Sequence, residues 1–304
     1  MTGVLFEGGS FRPVFSCGIM DALLEEGIMF PYFIGVSAGA ADAASYISRQ
    51  PERNIRILEK YRNDKRYLSK RNFLKERSIF GLDFVFREIP NKLDVFDMKT
   101  FKEYDGRFVI VTTDAKTGKV HYFDQKDVDE TFEVFCATCA LPGACPPAKI
   151  NGRKYYDGGL SNPIPIDKCL EDGCDKMLIV LTQPEGFIKT PRKSEKNMAK
   201  IMKLKYPAIA EELLKRCDKY NESVRLCEKL EKTGKAVNPY KHYVCDPDGT
   251  EESEGYMRSE HRICRYYPLV STAKGGTDRK MEKPFENRTY MRAVVSGRHV
   301  CDHD

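Results

Sequence analysis

The chain has 304 residues, 41% hydrophobic, 31% charged and 11% aromatic with no Trp, enough for one large α/β core or two average ones and unlike fibrous or wholly disordered proteins. Its longest unbroken apolar run, Met177 to Leu181, is five residues against the roughly 18 of a membrane span, so no bilayer-crossing helix is expected. The net charge of +5 is concentrated in Arg49 to Arg77, with 11 basic and 4 acidic residues, and Lys189 to Lys205, with 7 and 1; without a nucleic-acid motif, these stretches read as solvated helix faces or contacts for anionic lipid, and nucleic acid is not an expected partner.

Val4 to Phe6 reads as a short buried strand and Val14 to Glu26 as a helix, with Glu7 to Pro13 as the turn between them. Phe30 to Val36 is a second apolar strand, and Ala38 to Ser48 a helix dense in Ala and Ser, joined by a sharp turn at Ser37. A charged helical stretch starts at Pro51. Asn72 to Lys99, broken by Gly81 and Pro90, has no sustained periodicity and is left unassigned. Strands return at Phe108 to Thr112 and Val120 to Phe123, a helix lies near Asp129 to Ala140, and Lys154 to Tyr156 runs into Asp157. A helix starting at Pro165 and a buried strand at Lys176 to Leu181 complete an alternating β/α pattern, which builds a sheet covered by helices. From Tyr206 to Lys232, Ile209, Leu213, Cys217, Tyr220, Val224, Cys227 and Leu230 recur at helical spacing as one long amphipathic helix. Beyond it, Leu, Ile, Val and Phe make up 8 of the 64 residues 241–304, which reads as a poorly ordered tail.

Three short patterns carry candidate chemistry. Gly35-Val36-Ser37-Ala38-Gly39 is G-x-S-x-G between a predicted strand and helix, where flanking glycines avoid collisions in a tight turn and the helix N-terminus faces the hydroxyl; Ser37 is a candidate nucleophile, against the plain reading of a small-residue turn. Glu7-Gly8-Gly9-Ser10-Phe11-Arg12 is a glycine loop whose free N–H groups can converge on an anion, as an oxyanion hole does; the nucleotide-binding glycine patterns are absent around it. Asp157-Gly158-Gly159 ends a strand and on its own is a common turn. It gains weight because a Ser hydrolase needs a base and the only His before residue 241 is His121, on a predicted strand. A His drawn from the tail, where the other four lie, is the competing arrangement.

The 11 Cys are odd in number and follow no repeated framework, which predicts free thiols and a cytoplasmic protein, as does an opening segment MTGVLFEGGSFRPVF without a basic leader or long apolar core. Cys136, Cys139 and Cys145, with Cys169 and Cys174, have spacings a zinc site can use, but Cys136 and Cys139 fall on a predicted helix among Ala and Thr and read as small buried thiols. No metal and no cofactor are expected.

The order E-G-G-x-x-R, G-V-S-A-G, D-G-G, together with Ala137-Thr138-Cys139-Ala140-Leu141-Pro142, resembles the patatin-like phospholipases over about Val4 to Gly186, and the compact bacterial members most. The resemblance implies a three-layer α/β/α sandwich; with the periodicity of the long helix and the composition of the tail, the chain divides into an expected catalytic domain at 1–190, a helical extension at 191–240 and the tail at 241–304. It implies a lipid acyl hydrolase using a Ser-Asp dyad: Ser37 the nucleophile, Asp157 its base, the backbone of Gly8, Gly9 and Ser10 the oxyanion loop, Arg12 its support, and Gly35, Gly39, Gly158 and Gly159 the motif glycines. The expected substrate is a phospholipid, lysophospholipid or other acyl ester, met peripherally at an anionic membrane such as the inner face of the cell membrane. Two positions depart from the family's G-G-G-x-R-G: Ser10 stands where the third Gly is expected and Pro13 where the closing Gly is. Both bear on the oxyanion loop, and they motivate the alternative of a catalytically silent lipid-binding protein that keeps the fold.

Overall fold

In the computed structural model of the chain, residues 1–69, 72–73 and 78–238 are described. The tail 241–304 and part of the first basic stretch lie outside them.

Five strands build a parallel core: β1 (Thr2–Phe6), β2 (Tyr32–Val36), β3 (Arg107–Asp114), β7 (Lys176–Val180) and the two-residue β8 (Ala236–Val237). Three more, β4 (Val120–Asp124), β5 (Ala148–Ile150) and β6 (Arg153–Asp157), attach antiparallel. The sheet runs β5-β6-β3-β2-β1-β7-β8, with β4 also paired to β3.

Side-chain alternation on these strands explains the layering. Val4 and Phe6 of β1, Phe33 of β2 and Phe108 and Ile110 of β3 face one side, against α1 (Val14–Glu25), α2 (Ala38–Ile47) and α5 (Glu133–Cys139). Leu5, Ile34, Val36, Val109 and Val111 face the other, against α6 (Ile166–Glu171) and the long α8 (Pro207–Lys232). Near-continuous apolar strands are what a sheet buried on both faces requires, and each fully buried large side chain contributes about 1.5–3 kcal/mol. The result is the three-layer α/β/α sandwich.

Most element ends shift by a residue or two from the sequence reading, the helix expected from near Asp129 starts at Glu133, and two further differences have local causes. The unassigned stretch contains a wide, π-type helix at Phe84–Leu93 with Pro90 inside it, where Asp94 N–H bonds to Ile89 C=O and Phe96 N–H to Pro90 C=O. Proline cannot donate to a regular helical ladder, and the wider turn removes the 3.6-residue repeat that periodicity detects. Helices α3 (Arg53–Tyr61), α4 (Met98–Lys102) and α7 (Lys193–Met202) are the remaining α-helices of the described residues. Helix α7 lies in the second basic stretch, read from the sequence as a solvated helix face, and buries little beyond Ala199 and Met202. Among the described residues no helix is long and apolar enough to cross a membrane. Cys136, Cys145 and the pair Cys169 and Cys174 lie in three different parts of the core.

The β2–α2 crossing depends on Gly35, since a Cβ there would lie 2.5 Å from the Ala40 Cα, a backbone atom that cannot yield. Gly35→Ala is expected to destabilise the fold by at least about 2 kcal/mol, read as a lower urea midpoint. An unchanged midpoint would mean the two elements do not approach so closely.

Candidate active site

The pairing register brings the sequence candidates together. One edge of β3 carries β4 opposite Val109 to Thr113, so β2, opposite Arg107 to Val111, and β6, opposite Thr112 to Asp114, share the other edge end to end. The last rung of β2 is Val36 against Val111, and the next is Asp157 against Thr112. Ser37 follows Val36, so the two candidates start from adjacent rungs.

Ser37 has φ 55° and ψ −131°, outside the regions an L-residue ordinarily occupies, and it is held there. Its N–H donates to Thr138 Oγ1 at 2.9 Å, and the Thr138 hydroxyl donates to Val111 C=O at 2.6 Å, tying the turn to α5 and β3. The turn lets Gly39 sit against the first loop, where a Cβ would come within 2.5 Å of the Glu7 carbonyl oxygen. At the other partner, Gly158 runs so close to β3 that a Cβ would lie 2.3 Å from the Val111 carbonyl oxygen. Asp157 is buried; its Oδ1 accepts from Gly159 N–H at 2.7 Å. Burial raises its pKa above the usual carboxylate range, while hydrogen bonding with the Ser37 side chain, the Gly159 N–H and the positive charges of Arg216 and Lys189 draw it back. A hydroxyl so placed can pass its proton to this carboxylate.

The glycine loop leaves β1 beside Ser37, and the N–H groups of Gly9 and Ser10 have no acceptor among the described residues. Ser10 adopts φ 57°, the left-handed region that the expected glycine would enter freely, at a cost of about 1 kcal/mol. Pro13 stands at the N-terminal boundary of α1 with φ −60°, where a missing N–H costs nothing. Arg12 lies against Gly9, and its Nε donates to Thr182 Oγ1 at 3.3 Å; the Thr182 hydroxyl donates to Gly8 C=O at 2.9 Å, and its N–H to Glu7 Oε2 at 2.7 Å. Burial raises the Glu7 pKa and lowers that of Arg12.

Two cavities meet at Ser37. One, of about 160 Å³, is apolar, with Phe11, Phe86, Phe96, Phe132 and Phe135 among its walls. The other, of about 50 Å³, is polar and touches Gly8, Gly9, Ser10, Arg12, Asp157, Lys189 and Arg216. His121 lines neither; its ring packs at 4.6 Å from that of Phe123 and 5.1 Å from that of Tyr155, and burial lowers its pKa. Thr138, Thr182, Lys189, Arg216 and Asp42 were not singled out as site residues from the sequence. Thr138 is marked only by its place in the Ala137 to Pro142 segment, and nothing local marks Arg216, one charge among many on α8, whose Nε donates to Gly159 C=O at 3.2 Å.

Comparison with known proteins identifies the family. The family profile described as patatin-like phospholipase matches residues 4–170. The Escherichia coli K12 protein YjjU is 22% identical over 192 residues, covering 61% of this chain and 53% of that one, so the chain spans about half the length of this curated relative. Among solved structures, VipD from Legionella pneumophila aligns over 89% of this chain and 66% of its own, with a TM-score of 0.38 and 11% identity. The chain belongs to the patatin-like phospholipase family, whose members are in general lipid acyl hydrolases.

Asp42, half-buried on α2 in the wall of the apolar cavity, has the Cys17 thiol as hydrogen-bonding partner, and burial lifts its carboxyl pKa to about 7. A carboxyl whose pKa is higher folded than unfolded binds more protons in the folded state, so stability falls as pH rises from about 4 to 7 and then levels off. Asp42→Asn removes that loss. The variant should gain about 1–3 kcal/mol over the natural protein at pH 8 and nothing at pH 4, by denaturant unfolding at both pH values. An equal effect at the two pH values would assign it to packing.

Proposed function

We propose that this member of the patatin-like phospholipase family is a serine acyl-ester hydrolase that releases fatty acids from phospholipids or lysophospholipids with a Ser37–Asp157 dyad. The observation that carries the reading is the adjacency of a strained Ser37, one residue past the last rung of β2, and a buried Asp157 on the next rung of the same strand edge, with His121 elsewhere. Asp157 takes the hydroxyl proton as Ser37 Oγ attacks the ester carbonyl. The N–H groups of Gly9 and Ser10, with Arg12 bracing their loop, receive the negative charge that forms on the carbonyl oxygen, and the N-terminus of α2 adds its dipole. Collapse breaks the ester C–O bond, and Asp157 returns the proton to the leaving alcohol. Water, losing a proton to Asp157, then attacks the acyl-serine and frees the fatty acid and the hydroxyl. The apolar cavity suits the acyl chain.

The surface supports a working place at an anionic membrane. Ile188, Ile201 and Leu204 are 71%, 63% and 94% exposed, among Lys193, Lys196, Lys200, Lys203 and Lys205 on and beside α7. Apolar side chains that enter the interface beside cations that meet its charge are the features of peripheral lipid contact.

Ser37→Ala is expected to lower lysolipid hydrolysis at least about 10³-fold without unfolding the protein, and to abolish labelling by a fluorophosphonate probe. Asp157→Asn should be nearly as damaging, because an amide cannot take the proton, while His121→Ala stays within about threefold of the natural rate. A thousandfold loss in folded His121→Ala, or full activity in Ser37→Ala, would remove the dyad.

For the surface, Lys200→Glu with Lys203→Glu should weaken binding to anionic vesicles at least about tenfold, since each cation near such a surface is worth about 1 kcal/mol, and high salt should release the natural protein. Equal, salt-insensitive partition onto neutral and anionic vesicles would show that these lysines are only solvated.

A further inference from the structure

The polar cavity beside Ser37 holds a cation that takes no step in the proposed dyad chemistry, although its charge supports the Asp157 carboxylate. Lys189 is carried by the segment between β7 and α7, and its backbone is clamped to α8 from both sides: its N–H donates to Asn221 Oδ1 at 2.9 Å, and its C=O accepts from Asn221 Nδ2 at 3.0 Å. The clamp sets the ammonium 3.7 Å from the centroid of the Tyr220 ring, the neighbour of Asn221. No carboxylate lies within ion-pairing distance of Lys189 among the described residues. Arg216 is one helical turn before Tyr220 and lines the same cavity; it bonds to Gly159 C=O and, at 3.4 Å, to Glu195, leaving other N–H groups of its five uncommitted. Burial and the charges of Arg216 and Arg12 pull the Lys189 pKa down to about 8, against the opposing pull of Glu7 and Cys217.

A half-buried ammonium without an ion-paired carboxylate loses hydration and gains in return a ring face and only the longer-range pull of Glu7. A two-point backbone clamp is a further commitment to holding it there. What would complete this site is an anionic group arriving with the substrate. We propose that the cavity is an anion subsite, in which Lys189, with Arg216 at its side, takes the phosphoryl group of a phospholipid or lysophospholipid while the ester lies at Ser37 and the acyl chain in the apolar cavity. The assignment rests on the acyl-ester reading and names the residues that would recognise the phosphoryl group of its phospholipid substrates. The ammonium supplies point charge and Arg216 a planar set of donors, a combination suited to phosphoryl oxygens.

Binding without turnover tests it. In Ser37→Ala protein, calorimetry with short-chain lysophosphatidate and with the monoacylglycerol of the same acyl chain, both below their aggregation concentrations, should show about tenfold tighter binding of the phosphorylated lipid. Adding Lys189→Met should abolish the difference, and adding Lys189→Arg should keep most of it. Asn221→Ala, which releases the clamp and leaves the lysine in place, should reduce it. Equal binding of the two lipids, or a preference that survives Lys189→Met in folded protein, overturns the subsite. So does inorganic phosphate binding that needs Lys189 where lysophosphatidate shows no advantage, since the cavity would then serve a free anion. Hydrolysis by the natural protein is measured separately: failure to cleave either ester sinks the acyl-ester reading, and cleavage of both with no phosphoryl preference in binding sinks only the subsite.

Discussion

Along one edge of β3 the partner strand changes between Val111 and Thr112, from parallel β2 to antiparallel β6, and the rest of the site is arranged around that change. A strand edge offers one row of backbone groups, so β6 reaches β3 only where β2 has ended. The sharp turn at Ser37 ends β2 there. The same turn starts α2, and the β6 approach that follows places Asp157 at the rung which β2 vacates. Thr138 closes the arrangement by bonding to both chain segments at once, through the Ser37 N–H and the Val111 carbonyl. Backbone pairing thus sets the separation of two groups 120 residues apart in sequence, with an accuracy that flexible loops do not provide.

Charge around this junction is arranged with equal economy of parts. Glu7 and Asp157 are both buried, and their carboxylates are held against desolvation by backbone N–H groups and by Arg12, Lys189 and Arg216. Arg216 and Lys189 are brought by α8 and by the segment clamped to it, so the long helix is a wall of the polar cavity as well as a cover for the sheet. On the other side of Ser37 the helices and the π-type segment supply mostly aromatic and aliphatic side chains, with Asp42, Arg53 and Asn54 among the polar ones. One hydroxyl therefore sits at the boundary between an oily and an ionic compartment.

How much of this was legible in the sequence follows from how local each feature is. The G-x-S-x-G turn, the glycine loop and the Asp-Gly-Gly turn are each set by a few adjacent residues that must be small where the backbone passes close to a neighbour, so their letters carry their geometry. The alternating strands and the periodic α8 were visible for the same reason, since their spacing is the structure. Lys189, Arg216 and Thr182 had no such signal. They meet the loop only because α8 and the end of β7 pack beside it, and a lysine in a basic stretch has the same letters whether it faces water or a cavity. Pro90 erased the helical repeat of the segment it widens, and α7 offered too few buried apolar positions to show one. Ser10 and Pro13, which looked like damage to the loop, are accommodated, one at a tolerable left-handed φ and the other at a helix start.

The meeting of two unlike cavities at a single hydroxyl also orders events in time. Under the proposed acyl-enzyme reading, an acyl chain joined to Ser37 would remain in the oily compartment, while the released alcohol would stand in the ionic one and be free to diffuse away. The vacated compartment would then be the entrance for whatever attacks next, and its polar lining would admit water and small hydroxylated molecules alike. On that reading hydrolysis and acyl transfer would differ only in the visitor that arrives first, and the partition between them would be set by the wetness of one side of the site, while the grip of the other on the chain would determine how long the acyl-serine waits.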